Sequence, residues 1–185
     1  MSQGTVLILV VAIALVALAI AAWIVVQKIR TNRLRGRFGP EYERTVAEVG
    51  DRRKAEDELE ARRKRVAKLT LRPISPEEQE RFGSEWAAAQ ARFVDDPKGA
   101  VADANRLVKE VMQARGYPMG DFEQRAADIS VDHPRVVSNY RSAREIALRC
   151  ETGKAGTEDL RKAVVYYRAL FEELLETPQL VGVAR

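Results

Sequence analysis

Between Val6 and Val26 the chain reads VLILVVAIALVALAIAAWIVV, 21 residues without a charge, an amide or a proline. An α-helix of that length spans about 32 Å at ~1.5 Å per residue, which matches a hydrocarbon core of about 30 Å. Lipid cannot satisfy open backbone N–H and C=O groups, so a spanning segment of this kind must be helical. A cleaved signal peptide fits less well, because it carries a basic start and an apolar core of only ~7–15 residues. Here Met1 to Thr5 is uncharged, and apolar residues continue past Ala19, Ala21 and Ala22. A soluble core helix would be apolar on one stripe rather than all round. The pattern therefore predicts a transmembrane anchor over residues 1–27.

The pattern then changes. Residues 31–40 contain Gly36, Gly39 and Pro40, which predict a break and a new start, with Pro40 in the first turn and Glu41 and Glu43 at its positive end. From Glu41 to Lys68 there is no proline and one glycine, Gly50, which predicts a single helix of up to 28 residues. Its apolar content is thin. Tyr42, Val46 and Val49 share one face, and Leu59, Val66 and Leu69 begin another. Arg53 and Glu56 interrupt the heptad between them, so the unbroken heptads of a coiled coil are missing. Glu48/Arg52, Glu58/Arg62 and Glu60/Lys64 are spaced as i,i+4 pairs. Charge alternates in blocks. The expectation over residues 28–72 is a basic juxtamembrane segment and a long, solvated helical stalk, the alternative being self-association or a partner helix zipped on by charge.

Beyond Pro73 the helical signals are stronger. Ser75, Pro76 and Glu78 form a capping box, followed by Phe82, Trp86, Ala89 and Phe93 on one face. Asp95-Asp96-Pro97 stops that helix and starts another, with Val101, Ala104, Leu107, Val108, Val111 and Met112 inward and Gly116 at its end. Asp121 and Gln124 open a short helix with Phe122, Ala126 and Ile129. Asp132-His133-Pro134 is expected to open the next, with Val136, Val137, Tyr140, Ala143, Ala147 and Cys150 inward. Thr157 is expected to cap the last, whose stripe runs from Leu160 to Leu175 and which Thr177-Pro178 ends. No alternating run predicts a strand. The fold class is thus all-α, with an antiparallel helical bundle over residues 73–178 and a loose tail over residues 179–185.

Charge supplies orientation. Lys28, Arg30, Arg33, Arg35 and Arg37 crowd the C-terminal flank of the apolar run, and its N-terminal flank has no basic residue. The positive-inside rule then puts the protein in the inner membrane as a single-pass chain, N-terminus outside and body cytoplasmic. Trp23 suits an interfacial anchor. The same five residues are candidates for contact with anionic headgroups, at about 1 kcal/mol per basic residue near the surface. The net charge of +4 conceals an asymmetry: residues 28–72 carry +7 and residues 73–185 carry −3. That favours an anionic membrane surface over nucleic acid, against which the interleaved acidic block of the stalk also stands. The single cysteine, Cys150, excludes an intramolecular disulfide and reads as a small apolar filler.

Candidate chemistry is sparse. One histidine, His133, lies between Asp132 and Pro134, with no second His or Cys at ligand spacing. Phosphate-binding glycine loops and a G-x-S-x-G elbow are absent from the sequence. Asp121, Glu123, Asp128 and Asp132 cluster without calcium-loop spacing; with His133 they are the candidate partner surface, or the place where an enzyme site would lie. No catalytic residue, cofactor or metal is predicted. The reading is a membrane-tethered interaction or scaffold module with a protein partner, and not an enzyme.

The runs RGRFGPEYERTV, RPISPEEQERF, ARFVDDPKGAV and GDFEQRAADISVDHP resemble an uncharacterised family of bacterial single-pass membrane proteins. The resemblance covers nearly the whole chain. It implies an N-terminal membrane helix and a helical soluble body, and it implies no activity.

Overall fold

The computed structural model describes residues 3–176, which form eight helices and, among the described residues, no strand. They are α1 (Gln3–Phe38), α2 (Pro40–Val49), α3 (Arg52–Val66), α4 (Pro76–Arg92), α5 (Pro97–Arg115), α6 (Phe122–Asp132), α7 (Val137–Glu151) and α8 (Thr157–Glu176). The expected stop at Thr177-Pro178 and the tail over 179–185 lie outside the described residues.

One helix, α1, is long and apolar enough to cross a membrane, and its apolar window is wholly unburied. It does not end where the glycines begin. The helix passes Gly36 and stops at Phe38, because Thr31, Leu34 and Phe38 fall on one face and are buried against the helices that follow. Gly39 then takes φ 50 and ψ −126, a region open essentially to glycine, and the chain turns sharply into α2.

Residues 41–68 are two helices instead of one. Gly50 sits in the left-handed region at φ 71 as the C-cap of α2, and Asp51 caps α3 by accepting the Lys54 amide at 2.9 Å. The chain folds back there, so the two faces read separately in the sequence meet. Tyr42, Leu59 and Val66 form one buried cluster with Leu34, Phe38 and Val131, and Val46 and Leu69 lie against it. The stalk expectation is corrected accordingly: Glu41, Thr45, Glu56 and Arg62 are buried, and the apolar positions are occupied within the chain. Because the helix is broken, Glu48 pairs with Arg44 rather than Arg52, whereas Glu58 does pair with Arg62. Glu60 takes Arg63 at 2.7 Å.

The remaining helices share a larger core. Helix α8 packs against both α5 and α7, and α4 lies on α5. Leu107, Val108, Met112, Tyr140, Tyr167 and Leu170 are fully enclosed there, with Cys150 half-buried at the edge. Trp86 stacks on Phe171 with ring centroids 4.5 Å apart. The expected caps form at Ser75 with Glu78, at Asp96 and at Asp121, and Gly116 ends α5 at φ 94. Arg72 and the Ser75 amide both bind the Glu78 carboxylate and hold its pKa down to about 2. Two boundaries differ from expectation. Asp132 closes α6 instead of opening α7, whose start at Val137 carries no side-chain cap. Thr157 is already inside α8, and Asp159 reaches back to the Gly156 amide at 3.4 Å.

Candidate functional site: a polar junction below the apolar helix

Where α1 leaves its apolar run, a set of carboxylates ties it to the rest of the molecule. Glu56 is the first. Its Oε1 accepts from Thr31 Oγ1 at 2.7 Å and Tyr42 Oη at 2.8 Å, and from Arg52 Nε at 3.3 Å. Helices α1, α2 and α3 therefore meet on one oxygen. Burial pushes this carboxyl up, but the three donors together hold it below the ordinary range, so it is a buried anion.

Glu41 is the second. It is 2% exposed and sits in the first turn of α2. Its Oε1 lies 2.9 Å from Arg141 on α7, 3.2 Å from Arg62 on α3 and 3.4 Å from Arg44 on its own helix. Arg141 continues to Glu123 at the start of α6, at 2.6 Å. Burial opposes the Arg141 charge, and the two carboxylates outweigh it and raise its pKa. One carboxylate thus joins α2, α3 and α7 and, through Arg141, α6.

Two aspartates on α6 complete the junction. Asp128, fully buried, receives Arg65 of α3 through Nε at 2.8 Å and Nη2 at 2.7 Å, and the Gln124 amide at 3.0 Å. Both guanidinium nitrogens converge on Oδ1, and Gln124 also reaches Oδ2 at 3.0 Å. Asp132 receives Arg37 of α1 at 3.6 Å and the Tyr117 hydroxyl at 3.3 Å. With the apolar contact of Leu34 and Phe38 on Val131, α1 is held on α6 directly.

His133 lies beyond this set, 3% exposed, with Nδ1 3.2 Å from Glu173 and Nε2 without a partner. Burial lowers its pKa, Glu173 and Asp132 work the other way, and Arg115 adds to the lowering. A histidine depressed in the folded state binds fewer protons than in the unfolded chain, so its stabilisation is present above an unfolded pKa of about 6.5 and is lost as pH falls below it. The detergent-solubilised chain should thus unfold more easily at pH 5.5 than at pH 7.5. His133→Asn should show a smaller difference between the two; an unchanged difference would assign the pH dependence to other groups.

The sequence candidates divide into two groups here. Of the five flanking cations, Arg30 pairs with Asp57 at 2.6 Å, Arg35 with Glu43 at 3.1 Å and Arg37 with Asp132. Lys28 and Arg33 form no ion pair among the described residues. Of the acidic set, Asp121 and Glu123 are exposed, one capping α6 and one holding Arg141. Asp128 and His133 are buried, and Asp132 is exposed. Glu41, Glu56, Arg62 and Arg141 were missed. A signal for Arg62 existed, since Ala55, Leu59, Arg62 and Val66 share one 3.6-period stripe.

No family model, curated protein or solved structure matches this chain. The geometry itself speaks to mechanics. Each buried carboxylate of the junction already accepts from arginine, amide or hydroxyl donors. Among the described residues no group of three or more His, Cys, Asp and Glu side chains stands together as a metal site. What the arrangement does chemically is clamp: it fixes α1 on α2, α3 and α6 by short-range, directional contacts.

Proposed function

We propose that this chain is a membrane-tethered interaction module. Helix α1 crosses the inner membrane once, with the N-terminus outside, and the later helices form an antiparallel bundle that offers a surface to a protein partner at the cytoplasmic face. The observation that carries this reading is the continuity of α1. A helix with an unburied apolar window runs on, unbroken, into a junction where Thr31, Leu34, Arg37 and Phe38 are gripped by the body. A loose linker would give a tethered body every orientation. A gripped helix gives it one, and confinement beside membrane partners raises its effective concentration towards them.

Reporter fusions at Arg185 test the topology. A fluorescent-protein fusion should glow and an alkaline-phosphatase fusion should be inactive, following the basic flank at Lys28 to Arg37. The opposite pair of results reverses the orientation. Crosslinking in membranes, read by mass spectrometry, tests the module. A recurrent protein partner, lost on charge reversal at exposed residues of the body, supports it. Turnover of a small molecule by the purified chain, without any partner, would replace it with an enzyme.

A further inference from the structure

The turn between α2 and α3 returns the chain to the end of the apolar run. Thr31 meets Glu56, Arg30 meets Asp57, and one groove brings Arg33 and Leu34 beside Glu60, Ala61 and Lys64. From Trp23, Gln27 and Lys28 beside Arg52 and Arg53 to Arg33 and Leu34 beside Glu60 and Lys64, the neighbours advance together along both helices, so α3 runs parallel to α1. One turn before Glu56 and Thr31, Arg52 and Arg53 of α3 therefore come level with Gln27 and Lys28 of α1. Val26, the last residue of the apolar run, is only about 3 Å further along the axis from Lys28, at ~1.5 Å per residue. At this level the helices enclose an open recess of about 350 Å³ lined by Trp23, Gln27, Lys28, Arg52 and Arg53, with Glu56 at its base.

The charges in the recess are unevenly committed. Glu56 is answered by Thr31, Tyr42 and Arg52. Lys28 and Arg53 are exposed and form no ion pair among the described residues. Trp23, 56% exposed, supplies an apolar wall with one N–H donor on the side of the apolar run. The recess thus has spare positive charge in its lining and an apolar side continuous with α1. We infer that it seats one anionic phospholipid of the leaflet facing the body, with the phosphate between Lys28 and Arg53 and the acyl chains along Trp23 and α1. The inference rests on the membrane-spanning reading of α1. It replaces a diffuse basic collar with one site: Arg30, Arg35 and Arg37 serve the protein's own carboxylates, while Arg53, remote in sequence, joins Lys28 at the lipid.

The full chain is first reconstituted into phosphatidylcholine vesicles and washed with alkaline carbonate. Retention there establishes insertion independently of any headgroup, so its loss would remove the membrane reading and is distinct from failure of the site. Phosphatidylglycerol is then titrated into phosphatidylcholine nanodiscs holding the chain, and bound lipid is counted by native mass spectrometry. The wild type should retain one phosphatidylglycerol in preference to phosphatidylcholine. At about 1 kcal/mol per basic residue, Lys28→Ala or Arg53→Ala should weaken this roughly fivefold and the pair roughly thirtyfold, while Lys28→Arg retains it. The Arg33→Ala/Lys64→Ala pair removes equal charge from the neighbouring groove and should change it less than twofold. Equal losses from both pairs, no headgroup preference, or displacement of the lipid by millimolar glycerol phosphate would each overturn the site.

Discussion

Glu41→Gln is expected to destabilise the fold by about 3–5 kcal/mol, the range for removing one partner of a buried ion pair. The carboxylate is 2% exposed and stands within 3.2 Å of both Arg62 and Arg141, whose side chains are 8% and 13% exposed. An amide keeps the shape and removes the charge. Two buried guanidiniums then keep only their outer partners, Glu58 for Arg62 and Glu123 for Arg141, and the penalty is theirs rather than that of the missing contact. Chemical unfolding of the detergent-solubilised chain, followed by helicity, measures it. The control is Glu41→Gln with Arg62→Met, which removes one of the two under-paired cations and should recover part of the loss. A single-variant loss below about 1 kcal/mol would show that Arg141 and Arg62 reach solvent or Glu123 and Glu58 instead, and that the junction does not depend on Glu41.

Trp86→Ala should cost a similar amount, about 3–5 kcal/mol, by a different route. The ring is 6% exposed and stacks on Phe171 at an interplanar angle of 22°. Truncation removes the largest apolar area of α4 and leaves a cavity between α4 and α8. Because the indole Nε1 is buried without a partner, Trp86→Phe removes an unsatisfied donor while keeping most of the stack. Its loss should be a small fraction of the alanine value. If phenylalanine proves as damaging as alanine, the indole N–H has a partner that matters. The two variants also separate the halves of the molecule: Glu41 acts at the junction, Trp86 in the core of α4, α5, α7 and α8.

The helices that were legible in the sequence are those whose ends are written locally. Ser75 and Glu78, Asp96, Gly116 and Asp121 act on backbone groups within a few residues, so spacing alone places α4, α5 and the start of α6. The apolar run of α1 is local in the same sense, because a uniform 21-residue stretch carries its own length. The stripes of α5 and α8 bury as their 3.6-residue period predicts. Asp132 marks the limit of that reasoning. It looks like a cap in sequence, but its carboxylate turns to Tyr117 and Arg37, partners that no local pattern announces.

The junction was decided by tertiary structure. The apolar residues of 41–68 are too few to form a stripe on a single helix, and they become a core only when Gly50 folds α3 back and Leu34, Phe38 and Val131 complete it. The same folding turns charges that read as solvated into buried ties. Glu41 meets an arginine 100 residues away, and Asp128 one 63 residues away. Local spacing reports which side chains share a face of one helix. Which face then meets another helix, and which of many like-charged arginines reaches a given carboxylate, depends on distances that exist only after the chain has packed. For that reason the sequence by itself determined the apolar span, the helices α4, α5 and α8 and the caps at Ser75, Asp96, Gly116 and Asp121, while only the packed structure decided that residues 41–68 fold into two helices, that α1 is clamped to the body and that Lys28 and Arg53 share one recess.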